Sequence, residues 1–128
     1  MLNGTLLAEI DGILRDLNTQ GGFSVSVLTG EHGLPLSSAV ASGEDPDAQA
    51  AVVAMLEKAS ARVEDRLGMR GTAEVTMRDA LGRCLVCRPF SASGKEYVLS
   101  VMVPEKRRSY RQVTNRALRA LVRTLGTL

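Results

Sequence analysis

The stretch "FSVSVLTGEHGLPLSSAVA", residues 23–41, carries two strand-like runs with a turn between them. Over residues 23–29, Phe23, Val25 and Val27 fall on one side and Ser24 and Ser26 on the other, the period of two that marks a strand. "GEHG", residues 30–33, is turn chemistry. "LPLSSAVA", residues 34–41, resumes as a second strand. Pro35 stands near its start, where a missing ladder donor is tolerated. The segment therefore predicts a β-hairpin. It also holds the chain's single histidine and two adjacent serines, so catalysis must be weighed on the same residues. A Ser–His pair needs the base within about 3 Å of the nucleophile and a third group to orient it. His32 stands at the turn tip between glycines. Ser37 and Ser38 are neighbours on a strand, so they point to opposite faces, and neither lies on a glycine-flanked elbow. The hairpin reading displaces the catalytic one.

Outward from the hairpin, helices and strands follow in a simple order. Residues 3–17 predict a helix: Leu6, Ile10, Ile13 and Leu17 recur at spacings of three and four, with Leu7 and Leu14 beside them. Asn3 suits the N-cap, Leu2 is placed to staple onto Leu7, and "NTQGG" stops the helix. After the hairpin, Asp45 followed by Pro46 is a helix start, a cap and then a proline that loses no needed donor. This second helix runs from residue 46 to about 67, where Gly68 ends it. Its inward stripe is read as Ala48, Val52, Met55, Leu56, Ala59 and Val63. Ala50, Val53, Ala54 and Ala61 are left on other faces, more apolar than a helix with one core face requires. That surplus predicts a second packing surface.

Three strand-like runs come next, at residues 72–79, 83–91 and 96–104, separated at hairpin lengths by "DALG" and "ASGK". A last helix spans 109–125. Ser109 and Gln112 fit a capping box, and Tyr110, Val113, Ala117, Leu121 and Leu125 form its stripe, with Leu118 and Val122 adjoining. The order is α-β-β-α-β-β-β-α. Hairpin-linked strands give an antiparallel sheet covered by amphipathic helices, an α+β fold.

The chain has 128 residues, 45% hydrophobic and 23% charged. This suits one domain over residues 1–128 with a disulfide-independent core. Trp is absent and aromatics are few, so Leu, Val, Ala, Ile and Met must build the interior. No run of about 18 apolar residues predicts a membrane span, and acids interrupt the N-terminal apolar pattern where a signal peptide would be basic and then apolar. The expected location is the cytoplasm, without membrane insertion.

The net charge of +2 is unevenly spread: residues 1–67 hold 10 acids and 4 bases, residues 104–128 hold 1 acid and 7 bases. A basic tail can meet nucleic acid or anionic lipid. No aromatic residues punctuate it as stacking platforms, and neutralising the acidic half, in the same chain or a partner, is the favoured reading, with no nucleic acid expected. The densest basic run, "EKRRSYR" at 105–111, reads as the solvated entry to the last helix.

Other chemistry is sparse. Cys84 and Cys87 form a C-x-x-C, but zinc needs four ligands and no second pair exists. Redox pairs of this spacing sit at helix N-termini, whereas this one lies in a strand with its members facing opposite sides. No phosphate-binding glycine loop is present, and no carboxylate pair is placed for acid–base work. No cofactor, metal or catalytic residue is expected, and an interaction module is.

With its hairpin "TGEHGLPLSSA" (29–39), long Ala-rich second helix and three closing strands, the chain resembles a Roadblock domain, the family of dynein light chains and small-GTPase regulators. The resemblance covers residues 3–125. Its turn ordinarily holds Asp before the glycine, where this chain has His32. The resemblance implies a five-stranded antiparallel sheet in a profilin-like architecture and a homodimer through the second helix and the edge strand after it, joining two sheets into one of ten strands. On that basis the dimer interface is assigned to Ala50, Val53, Ala54, Glu57, Ala61, Glu74, Val75, Thr76 and Met77. Pairing would also remove an unprotected edge. The implied function is a non-enzymatic regulator or scaffold that binds a Ras-like small GTPase. Such a regulator need not insert an arginine; it can reposition the GTPase's own residues. Arg62 and Arg66 on the second helix are read as solvent-facing charges. The alternatives are a structural adaptor in a larger motor or membrane-associated complex without GTPase contact, and a small-molecule sensor or enzyme on a similar scaffold.

Overall fold

The computed structural model describes residues 3–41, 43–104 and 109–127. Helix α1 spans Gly4–Gly21, strand β1 Val25–Thr29, β2 Pro35–Val40, helix α2 Pro46–Leu67, β3 Val75–Arg78, β4 Cys84–Ala92, β5 Lys95–Val103 and helix α3 Arg111–Leu125. The order is the one the sequence predicts. The five strands form one antiparallel sheet in the order β2-β1-β5-β4-β3. The non-hairpin contact β1–β5 places those two strands inside the sheet, and each is buried along most of its length on both faces.

One face carries α1 and α3. Ile10, Leu14 and Leu17 of α1 and Ala117, Leu121 and Leu125 of α3 pack there with Leu28, Val86, Leu99 and Val101. The opposite face carries α2 alone, over Val25, Val27, Leu85, Cys87 and Val98. The alternation predicted for β1 holds for Val25, Val27 and Ser26. Phe23 departs from it: it precedes the strand and packs with α1 on the other face. Ser26 is buried as well, because α1 covers its side, and its hydroxyl donates to the Asn18 side-chain carbonyl.

Helix ends follow local chemistry, with two corrections. α1 is capped by Asn3, whose side chain accepts from the Leu6 N–H at 2.8 Å. It runs on to Gly21 because nothing in "NTQ" forbids helix. The stop is Gly22, left-handed at φ 67°, with its N–H bonded to Asn18. α2 starts on Asp45, which accepts from the N–H groups of Asp47 and Ala48, and ends on left-handed Gly68. α3 does not use the Ser109–Gln112 box. It begins at Arg111 behind Tyr110, which makes no side-chain cap bond; the Tyr110 hydroxyl is held instead by Glu74. The Leu2 staple and residues 105–108 of the basic run lie outside the described residues.

The hairpin turn is a single 3₁₀ turn, Glu31–Gly33, with His32 left-handed at φ 62°. Asp, Asn and His are the non-glycine residues that enter this region most readily, so His32 serves the turn as Asp would. Gly33 is held more tightly. Its φ is +75°, and a Cβ there would lie 2.7 Å from the Ala54 Cβ of α2. The turn therefore rests directly on α2. Gly33→Ala is expected to cost about 2–3 kcal/mol from left-handed strain and the clash together. Chemical denaturation of Gly33→Ala, Ala54→Gly and the double variant checks this: a favourable coupling in the double variant is expected, because Ala54→Gly removes the clash.

Candidate interaction surface

α2 is the element whose faces matter. Inward lie Gln49, Ala50 and Val53, all buried, with Ala54 under the hairpin turn. Val53 is 1% exposed and joins Leu85, Cys87 and Val98. The Gln49 amide donates to the Ser100 hydroxyl at 3.0 Å, satisfying two polar groups between helix and sheet. The sequence signals no such role for Gln49, which reads as one more polar helix residue.

This inverts the stripe predicted from the sequence. Ala48, Val52, Met55, Ala59 and Val63 face outward, with Val52 38% and Met55 67% exposed; of the predicted inward set only Leu56 is partly buried in the core. The inversion has a steric cause. The α2 side of the sheet already carries Val25, Val27, Val98 and Met102, so small residues let the helix approach closely. Periodicity cannot choose between two apolar stripes on one helix. Ala50, Val53 and Ala54, assigned to the dimer interface, are thus occupied within the chain. Glu57 and Ala61 line a cleft of about 490 Å³ beside the hairpin turn, with Glu31, His32 and Glu96. Burial, then the charges of Glu64 and Glu96, push the Glu57 carboxyl above its ordinary range.

β3 lies at the sheet margin. It pairs with β4 through Val75↔Cys87 to Arg78↔Cys84, and no described strand covers its other side. Met77 is 56% exposed on the same face as α2, Val75 is partly buried against the α2 core, and Thr76 is exposed on the α3 face. Between α2 and β3 runs a groove of about 320 Å³ lined by Ala48, Val52, Met77, Leu85 and Met102. The Arg83–Glu44 ion pair, 3.3 Å, also lines it. The outward stripe of α2, the groove and the open edge of β3 are contiguous.

Glu74 turns away from this edge. Its Oε2 accepts from the Tyr110 hydroxyl and from Thr76 at 2.7 Å, and Arg111 lies 3.4 Å from Oε1. Burial alone would raise the carboxyl, but these hydrogen bonds and the charges of Arg111 and Arg88 outweigh it and hold Glu74 below its ordinary value of 4.5. A depressed carboxyl contributes stability above its unfolded pKa and loses it as pH falls through the folded one. Acid unfolding followed by circular dichroism is expected to show a slope below pH 4.5 that Glu74→Gln flattens.

The remaining motifs stay apart. Ser37 donates to the Asp11 carboxylate rather than to His32, which is exposed at the turn tip. Cys84 packs on the α1–α3 side and Cys87 on the α2 side, as the strand reading requires. Burial raises both thiols, Cys87 to about 12. Among the described residues no group of three His, Cys, Asp or Glu side chains is placed to hold a metal, and no helix is long and apolar enough to cross a membrane. Arg62 and Arg66 are exposed, as expected.

A sheet of five antiparallel strands with α2 alone on one face and α1 and α3 on the other is shared with solved structures. Gliding protein MglB from Thermus thermophilus superposes with a TM-score of 0.83 at 19% identity, over 100% of this chain and 96% of that one. Myxococcus xanthus MglB gives 0.83 at 18% identity, over 99% and 94%. A Roadblock/LC7 domain from Streptomyces avermitilis gives 0.70 at 19% identity, over 89% and 92%. The chain has the Roadblock/LC7 fold. No protein-family model and no curated protein matches the sequence. The Roadblock resemblance was carried in the sequence by element order and by the hairpin.

Proposed function

We propose that this chain is a non-enzymatic Roadblock-type module that dimerises with a second copy of itself and binds a Ras-like small GTPase to regulate its nucleotide cycle. One observation carries the dimer. Val52, Met55, Ala59 and Val63 form an exposed apolar stripe on α2, continued by Met77 on the open edge of β3. The interface consists of this stripe and the backbone edge of Val75–Arg78, in place of Ala50, Val53 and Ala54. An antiparallel β3–β3 pairing satisfies the edge donors and acceptors, and the two α2 stripes then meet across the two-fold axis. Burying about 1,200–2,000 Å² is typical of a specific pair of this kind.

The GTPase reading is supported by the fold shared with a gliding protein and a Roadblock domain. The test uses a purified Ras-like small GTPase loaded with GDP or GTP. Co-elution with the dimer and a changed rate of GTP hydrolysis are expected. A dimer that neither co-elutes with the GTPase in either nucleotide state nor alters hydrolysis would move the assignment to a structural adaptor.

A further inference from the structure

α3 has a second face that neither the core nor the proposed dimer uses. The helix carries four arginines and no acid over Arg111–Leu125. Arg116, Arg119 and Arg123 recur at spacings of three and four, so they form one row. All three are exposed, opposite the buried row of Thr114, Ala117, Leu121 and Leu125. Among the described residues none of the three forms a salt bridge. Val122 lies exposed beside the row.

We propose that this arginine row docks the protein on an anionic membrane surface. The apolar face of α3 is committed to the core, so the contact is electrostatic adsorption and not insertion. The row is straight and about 10 Å long, and Arg116 at its start also lines the shallow groove between α3 and α1. A fluid bilayer of negative headgroups needs no matched geometry, whereas an acidic protein does. Duplex nucleic acid fits less well. α1 and α3 pack side by side into a broad layer instead of presenting one protruding helix to a groove about 12 Å wide. Glu9 and Asp16 are exposed on α1, and Asp16 shares with Arg116 the shallow groove between the two helices; Asp11 is bonded to Ser37. These acids weaken any contact that must also cover α1.

The dimer strengthens the argument, and this part rests on the reading given above. An antiparallel pairing of two β3 edges places the two-fold axis perpendicular to the sheet, so both copies keep the same face up. α3 packs over β4, next to β3, through Arg88, which donates to Thr114 at 2.9 Å. Both arginine rows therefore lie on one side of the joined sheet and meet one plane together, which multiplies their effect.

Flotation of the purified full chain with phosphatidylcholine vesicles, with or without phosphatidylglycerol, tests the proposal. The protein is expected to float only with the anionic vesicles at low salt and to be released by high salt. Each arginine near such a surface contributes about fivefold in partition, so Arg116→Gln with Arg119→Gln and Arg123→Gln should lower it by about a hundredfold. The fold is unaffected, as circular dichroism will show. A dimer-breaking variant should partition at least tenfold less than wild type. Wild type that stays soluble at low salt, or a triple variant that floats equally well, sinks the proposal. So does tighter binding to a DNA duplex than to the anionic vesicles at equal phosphate concentration. Light scattering on the same samples separates the two readings: a monomeric wild type that still floats through these arginines overturns the dimer and leaves the membrane contact standing.

Discussion

Val53→Asp is expected to remove a large share, up to nearly all, of the folding stability of the single chain. Val53 is 1% exposed among Leu85, Cys87 and Val98, and no basic side chain belongs to that cluster. A carboxylate placed there must stay charged without a partner or take up a proton, and either course is costly. Losing the valine contacts adds to it. Together these effects reach about 4–5 kcal/mol, the size reserved for an unpaired buried charge. A small domain has about 5–15 kcal/mol in total. Circular dichroism and chemical denaturation should therefore report a strongly destabilised or barely folded protein at low concentration, where dimerisation contributes least. A cooperative transition within about 1 kcal/mol of wild type would mean that Val53 faces outward after all.

The neighbouring position shows how little of this is written in the periodicity. Val52 and Val53 are the same residue type, one apart on one helix, yet Val53 is buried and Val52 is exposed. The sequence of α2 has two apolar rows, one rich in large side chains and one in small. Placing the large row inward follows from a general preference for burying large apolar groups. It fails because the space beneath the helix is already filled from the sheet and because Gly33 of the turn reaches up to Ala54. Both facts depend on residues distant in the chain. The hairpin, by contrast, was legible locally: Gly33, Pro35 and the alternation at Val25 and Val27 each demand their own backbone. The caps at Asn3 and Asp45 were legible for the same reason. The cap at Ser109 was not, because Glu74 takes Tyr110 by a contact made in the fold. Of the candidate surface, the elements were legible and the face was not. Helix 46–67 and the strand after it could be named from their order. Which side chains they present depended on close packing against the sheet.

Val52→Asp together with Met55→Asp is the complementary experiment. Both residues are exposed in the single chain, so the substitutions bury no charge in the monomer and are expected to change its stability by no more than about 1 kcal/mol. In the proposed dimer each copy brings both positions to the two-fold axis, so four carboxylates would be drawn together where wild type has apolar contact. Like charges juxtaposed in an interface cost several kcal/mol, and the lost apolar contacts add to that. The dimer dissociation constant is expected to rise roughly a thousandfold or more, giving a folded monomer by light scattering at micromolar concentration. The contrast with Val53→Asp is diagnostic. One carboxylate on the inner face should strongly destabilise the chain, and the pair on the outer face should only separate two intact copies. If the double variant remains a soluble dimer, the outward row of α2 is not the contact and the open edge of β3 must be covered in another way. If it unfolds, the row belongs to the core of the monomer and the exposed apolar surface that motivates self-association does not exist.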